Sequence, residues 1–147
     1  MRIVDTEIHT LHRYFIWANR MRTHFDEILQ KISELENHQE KNDEAKKFEI
    51  ESFMYLSLWY ATLNTVIEGW QELGLKDPGI ELLLQSNNSK LLKKYRHGVL
   101  HFQRNYFDQR FVGFMESNDS VEWVRNLNKE FGRYFLEYFK TSWNKVD

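Results

Sequence analysis

The chain has 147 residues, a common size for one domain, with one proline, six glycines and no cysteine. So few chain breakers argue against many short strands joined by tight turns, and the missing thiols exclude a disulfide framework and thiolate metal sites. The net charge of −2 gives no general polyanion-binding signature, whereas the 16% aromatic content is about twice the usual share.

No stretch approaches the ~18 uncharged apolar residues of a membrane span, and MRIVDTEIHTLHR carries no apolar signal-peptide core. The expectation is therefore a soluble, cytoplasmic, mostly helical single domain over residues 1–147, with no membrane partner. The aromatic excess predicts an ample core and more apolar surface than one small protomer hides.

Between residues 5 and 36, Ile8, Leu11, Phe15, Ala18, Met21, Phe25, Ile28, Ile32 and Leu35 follow one another in steps of three and four. That spacing predicts a long helix with one buried stripe, with Asp5 or Thr6 as its N-cap. The polar, aperiodic run NHQEKNDEAKK (37–47) reads as a solvated loop. Apolar residues of FMYLSLWYATLNTVIEGW nearly encircle the axis, so the helix expected over 48–73 is buried on several sides, with Gly74 ending it. Asp77-Pro78-Gly79 predicts a cap and first turn for a short element holding Ile80 and Leu82 to Leu84.

A third long helix is expected from Ser89, carrying Leu91, Leu92, Tyr95, Val99, Leu100 and Phe102, with a bend or break near 105–113. Ser117-Asn118-Asp119-Ser120 predicts the next break. Asp119 and Glu122 form a capping-box pattern for a last helix over 120–144. Four long helices and a short extra one, with short connections, predict an all-α antiparallel four-helix bundle.

Charge is segregated along the chain. Residues 26–51 hold nine acids and four bases, whereas 89–111 hold six bases (Lys90, Lys93, Lys94, Arg96, Arg104, Arg110) and one acid, Asp108. A basic stretch inside a slightly acidic chain points to a local anion site, although a solvated helix face has the same composition. Within it lies Tyr95-Arg96-His97-Gly98-Val99-Leu100-His101-Phe102-Gln103. Arginine offers a permanent forked cation for phosphate oxygens, and histidine exchanges a proton near neutral pH. Together they supply what cleavage of RNA through its 2′-hydroxyl requires, without a metal.

Five residues on a straight helix rotate by about 140° and rise about 7.5 Å, so Arg96 and His101 would not share a face. Three arrangements answer this: the arginine wraps round, the helix distorts near Gly98, or two chains build the site across a dimer interface.

The segments SLWYATLNTVIEGWQELGL, DPGIELLL and LLKKYRHGVLHFQRNYF, within residues 50–140, resemble the HEPN superfamily of helical-bundle proteins. Its mark is an Arg-x4–6-His motif on a bundle helix, often with Asn, Asp or His after the arginine, and Arg96, His97 and His101 match in order. The resemblance implies a homodimer whose two motifs meet in a cleft. In active members it implies a metal-independent endoribonuclease, often of toxin–antitoxin or antiviral systems, so an antitoxin partner enters the expectation. Gln103 stands where one toxin subgroup carries a tyrosine that its antitoxin modifies, so that control is not expected. The superfamily also has members without nuclease activity, which leaves binding of RNA, a nucleotide or a protein partner as the alternative.

On this reading Arg96 and His101 are catalytic. His97 and Glu68 are auxiliary, and Lys93, Lys94 and Arg104 bind RNA. Glu68, in the most apolar helix, either orients Arg96 or a motif histidine or makes a structural salt bridge or an exposed contact. No metal or cofactor is expected. His9/His12 and His97/His101 have zinc-like spacing without a carboxylate-bridged pattern. Tyr14-Phe15-Ile16-Trp17-Ala18-Asn19 resembles the first helix of DinB-like metal-binding bundles, but no histidine follows His101 to complete their triad. Trp59, Tyr60, Trp70, Trp123, Phe131, Phe135 and Phe139 are read as core or dimer interface rather than base-stacking platforms.

Overall fold

A computed structural model of the chain describes residues 3–38 and 42–144. The chain is all-α, and the described residues contain no strand. Six helices follow in order: α1 (Ile3–His38), α2 (Asn42–Glu72), α3 (Pro78–Leu84), α4 (Asn88–Leu100), α5 (Gln109–Met115) and α6 (Ser120–Asn144). Among the described residues no helix is long and apolar enough to cross a membrane.

The predicted apolar stripe of α1 is buried at Ile8, Leu11, Phe15, Ala18 and Ile28. It packs along α2 in an antiparallel sense: Lys31 lies over the Phe48 ring, Phe25 against Trp59, and Leu11 beside Gly69. α6 also runs antiparallel to α1, with Asp26 meeting Arg125, Phe15 meeting Phe131 and His9 meeting Phe139. α2 is wrapped as its composition predicts, with Trp59, Leu63, Val66 and Trp70 almost fully enclosed.

Indole N–H groups in such a core need acceptors, and each of three buried tryptophans has one. Trp59 donates to Asn128 Oδ1, Trp70 to Glu81 Oε1 and Trp123 to the Leu83 carbonyl, at 3.0, 2.9 and 2.8 Å. These bonds tie α2, α3 and α6 around one core. Of the aromatic residues expected in it, Trp59, Tyr60, Trp70, Trp123, Phe131 and Phe135 are buried, and Phe139 packs half-buried against it.

Several boundaries differ from those expected. α1 begins at Ile3, so Asp5 and Thr6 lie inside the helix rather than at its cap. The stretch expected as a loop is helical at both ends: α1 runs to His38 and α2 starts at Asn42, while 39–41 lie outside the described residues. Glu, Ala and Lys propagate helices without a buried face, and Asp43 and Glu44 in the first turn oppose the partial positive charge of the exposed amides.

The third long helix is also shorter than expected. α4 stops at Leu100 after 13 residues, and a separate α5 occupies part of the expected break. Asn105 Oδ1 accepts from the Phe107 amide, and Asp108 caps α5 by accepting from the Arg110 amide. These local bonds compete with helix continuation. At α3 the expected cap is present: Asp77 accepts from the Gly79 and Ile80 amides ahead of Pro78. Gly74 takes the left-handed conformation at φ 67° that ends α2.

A polar network joins α1 to α6. Asp26 accepts from Arg22 at 2.8 Å and from both terminal nitrogens of Arg125 at 3.2 and 2.7 Å. Burial by itself pushes the Asp26 carboxyl up, but hydrogen bonding and charge from Arg125, then Arg22, outweigh it and hold the group below 3.8. Its stabilising contribution is therefore complete above the ordinary carboxylate range and is lost as pH falls through the depressed native value. Asp26→Asn is expected to lower stability at pH 7 by about 1 kcal/mol, given the partial exposure of the pair. In urea titrations the gap between variant and wild type should close on acidification below the native titration of Asp26. A gap independent of pH would contradict the assignment.

Candidate functional site

The site is set by the phase of α4. Tyr95 is fully buried, its hydroxyl 2.9 Å from Ser57 Oγ and its ring edge-on to Tyr60, Phe111 and Phe114. One residue further on rotates a helix by about 100°, so Arg96 and His97 turn away from the core as Tyr95 turns in.

Arg96 turns back towards α2. Its Nη1 lies 3.5 Å from Glu68 Oε1, which also accepts from Asn64 Nδ2 at 3.2 Å. The Nε of Arg96 is buried without an acceptor. Glu68 is half-exposed rather than deep in the core. The pair is long and open to solvent, so it is worth only about 0–1 kcal/mol and holds Arg96 weakly.

His97 points to solvent, and its ring centroid is 4.4 Å from that of His101. The helix ends between them. His101 is the C-cap residue in extended backbone (φ −124°, ψ 131°), and its amide donates to the His97 carbonyl at 3.1 Å. The straight-helix difficulty thus takes a specific form: Arg96 is directed at Glu68, while His101 leaves the helical path and folds onto His97. His97 lies within electrostatic reach of Arg96, His101 and Arg110.

Desolvation, followed by His101, Arg110 and Arg96, lowers the His97 pKa below 6.5, with Asp108 acting in the opposite sense. His97 is thereby favoured as a neutral imidazole near pH 7.

Three residues outside the expected site hold the backbone after α4. Gln103 Nε2 donates to the His101 carbonyl at 2.8 Å and its Oε1 accepts from Arg110 at 3.0 Å. Arg110 also pairs with Asp108, whose carboxyl is held below 3.8 by the Arg110 amide despite partial desolvation, with further help from the Arg110 side chain. α5 lies close because residue 98 is glycine: a Cβ there would stand 3.0 Å from the Phe111 ring and 3.2 Å from Arg110 Cβ. The sequence signal was Asp108 itself, the one acid in a basic stretch and two residues before Arg110, a helix-capping pattern.

Around this frame Lys93, Lys94 and Arg104 are exposed, with no ion-pair partner among the described residues. Between them the loop presents Phe102 (92% exposed), Tyr106 (80%) and Phe107 (70%). Phe102 was expected on the apolar side of the third helix and instead stands in solvent, because α4 ends before it. Lys94, Phe107 and Arg110 border an open cleft of about 690 Å³ with Leu91, Asn105 and Gly113.

No three His, Cys, Asp or Glu side chains converge as a metal site among the described residues. His12 packs on Phe135 and Phe139, and His9 on Phe139. The chain matches no protein-family model, curated protein or solved structure.

The His97 environment gives a direct test. In His101→Ala, removal of the neighbouring imidazole should raise the His97 pKa towards 6.5, read from its ring proton shifts in an NMR pH titration. An unchanged His97 titration would contradict the coupling.

Proposed function

We propose that the end of α4 and the following loop form an RNA-binding surface of a HEPN-like, metal-independent endoribonuclease. Its type is that of toxin–antitoxin or antiviral defence proteins, and its working form is a homodimer of four-helix-bundle protomers. The observation that carries this reading is the solvent-facing His97–His101 pair with Arg96 and Arg110 in electrostatic reach. Exposed Lys93, Lys94 and Arg104 add charge for phosphates, and Phe102, Tyr106 and Phe107 offer faces on which unpaired bases stack.

In this mechanism Arg96 leaves Glu68 to hold a non-bridging phosphate oxygen, and His97 orients the phosphate. His101 accepts the proton of the 2′-hydroxyl. The 2′-oxygen attacks phosphorus, the bond from phosphorus to the 5′-oxygen breaks, and that oxygen takes a proton from solvent. The products are a 2′,3′-cyclic phosphate and a 5′-hydroxyl. A second copy of the chain supplies the other wall of the cleft, and Glu68 returns Arg96 to its resting position.

A second reading has support in the same pair: with Glu68 against Arg96, the surface binds RNA, a nucleotide or a protein partner without cleaving it.

Incubation of the purified chain with single-stranded RNA separates the two. The enzyme reading predicts fragments ending in cyclic phosphate, undiminished by EDTA and reduced at least about 100-fold in His101→Ala or Arg96→Ala. RNA binding without cleavage would favour the second reading. Cleavage abolished by EDTA, or full activity in His101→Ala, would contradict the mechanism.

A further inference from the structure

α1 and α6 line a groove of two parts that shares no residue with the α4 loop cleft. One half, about 600 Å³, is lined by Phe15, Phe135, Leu136 and Phe139 with His9 and His12. The other, about 390 Å³, is lined by Asn19, Arg22, Arg125, Asn128 and Lys129. Phe15 and Gly132 line both halves, so the two adjoin.

The halves differ in chemistry. In the first, Leu136, which is 71% exposed, and half-buried Phe139 adjoin the buried rings of Phe15 and Phe135. Burial, then His9, lowers the pKa of His12, so it adds no charge to this half near pH 7. In the second, three cations face one carboxylate. Asp26 is shared by Arg22 and Arg125, and Lys129 is exposed with no ion-pair partner among the described residues. The amides of Asn19 and Asn128 are fixed to one another and to Trp59, which gives the polar half a rigid floor.

Gly132 marks the waist. Glycine is disfavoured inside a helix relative to alanine, and packing does not require it here. A Cβ at 132 would meet the Phe15 ring at an ordinary 3.4 Å. Glycine leaves no side chain of α6 at the point where the apolar and cationic halves adjoin.

We infer that the α1–α6 groove binds an amphipathic anion, with its apolar tail on Leu136 and Phe139 and its carboxylate or phosphate head at Lys129, Arg22 and Arg125. An apolar cleft of several hundred Å³ with convergent polar groups at one end is the usual form of a small-molecule site. The excess of positive charge selects the sign of the head group.

Titration calorimetry on the full chain tests this with dodecanoate, dodecyl phosphate, dodecyltrimethylammonium and inorganic phosphate, each below its micellar concentration. One dodecyl anion should bind per chain, at least tenfold more tightly than the dodecyl cation or inorganic phosphate. Binding of dodecanoate alone, of dodecyl phosphate alone, or of both assigns the head-group chemistry within the proposal. The surface variants Lys129→Glu and Leu136→Asp, checked for unchanged thermal melting, should each weaken that binding at least tenfold. Equal affinity for the dodecyl cation, no binding of either anion, or wild-type affinity in both variants would overturn the inference.

Discussion

The Tyr95 hydroxyl meets Ser57 Oγ inside a shell of aromatic edges from Tyr60, Phe111 and Phe114, and this contact fixes how α4 sits on α2 and α5. A buried phenol needs a partner, so its rotation about the α4 axis is tightly constrained. Burial drives its pKa up, which keeps it in the neutral form that can share a proton with Ser57. Everything polar on α4 follows from that setting. Arg96 faces Glu68, His97 faces solvent, and the Gly98 face receives Phe111. The polar side chains of α4 are thus positioned by a buried neighbour.

Much of this fold was legible in the sequence because burial leaves a periodic record. The α1 stripe from Ile8 to Ile28, the encircled α2 and the Asp77-Pro78 start of α3 are all read from spacing and cap chemistry. Polar helix is harder to read. Residues 43–47 have no buried face, so their pattern resembles a loop although their residue types favour helix. The early end of α4 was hidden for the opposite reason. Val99, Leu100 and Phe102 continue an apolar pattern, but the short-range bonds of Asn105 and Asp108 interrupt the helix.

The candidate site was legible as residue types and not as geometry. Arg96, His97 and His101 stand out by chemistry, yet periodicity assumes a continuous helix, and His101 lies at its extended end. Gln103, read as a missing tyrosine, bridges the His101 carbonyl and Arg110. Glu68 does meet Arg96, though at the surface, because α2 is not enclosed at that point. Lys93, Lys94 and Arg104 are exposed without an ion-pair partner among the described residues, close in sequence to three exposed aromatic rings. Monomeric surfaces seldom keep such a patch without a ligand for it.

That patch is open to a direct measurement: an amide NMR titration of the full chain with short single-stranded RNA made uncleavable by 2′-O-methylation. The account predicts shifts concentrated over residues 93–110, weakened by added salt and lost in a Lys93→Glu, Arg104→Glu double variant. Absence of shifts, or shifts confined to other helices, would contradict an RNA site at the end of α4.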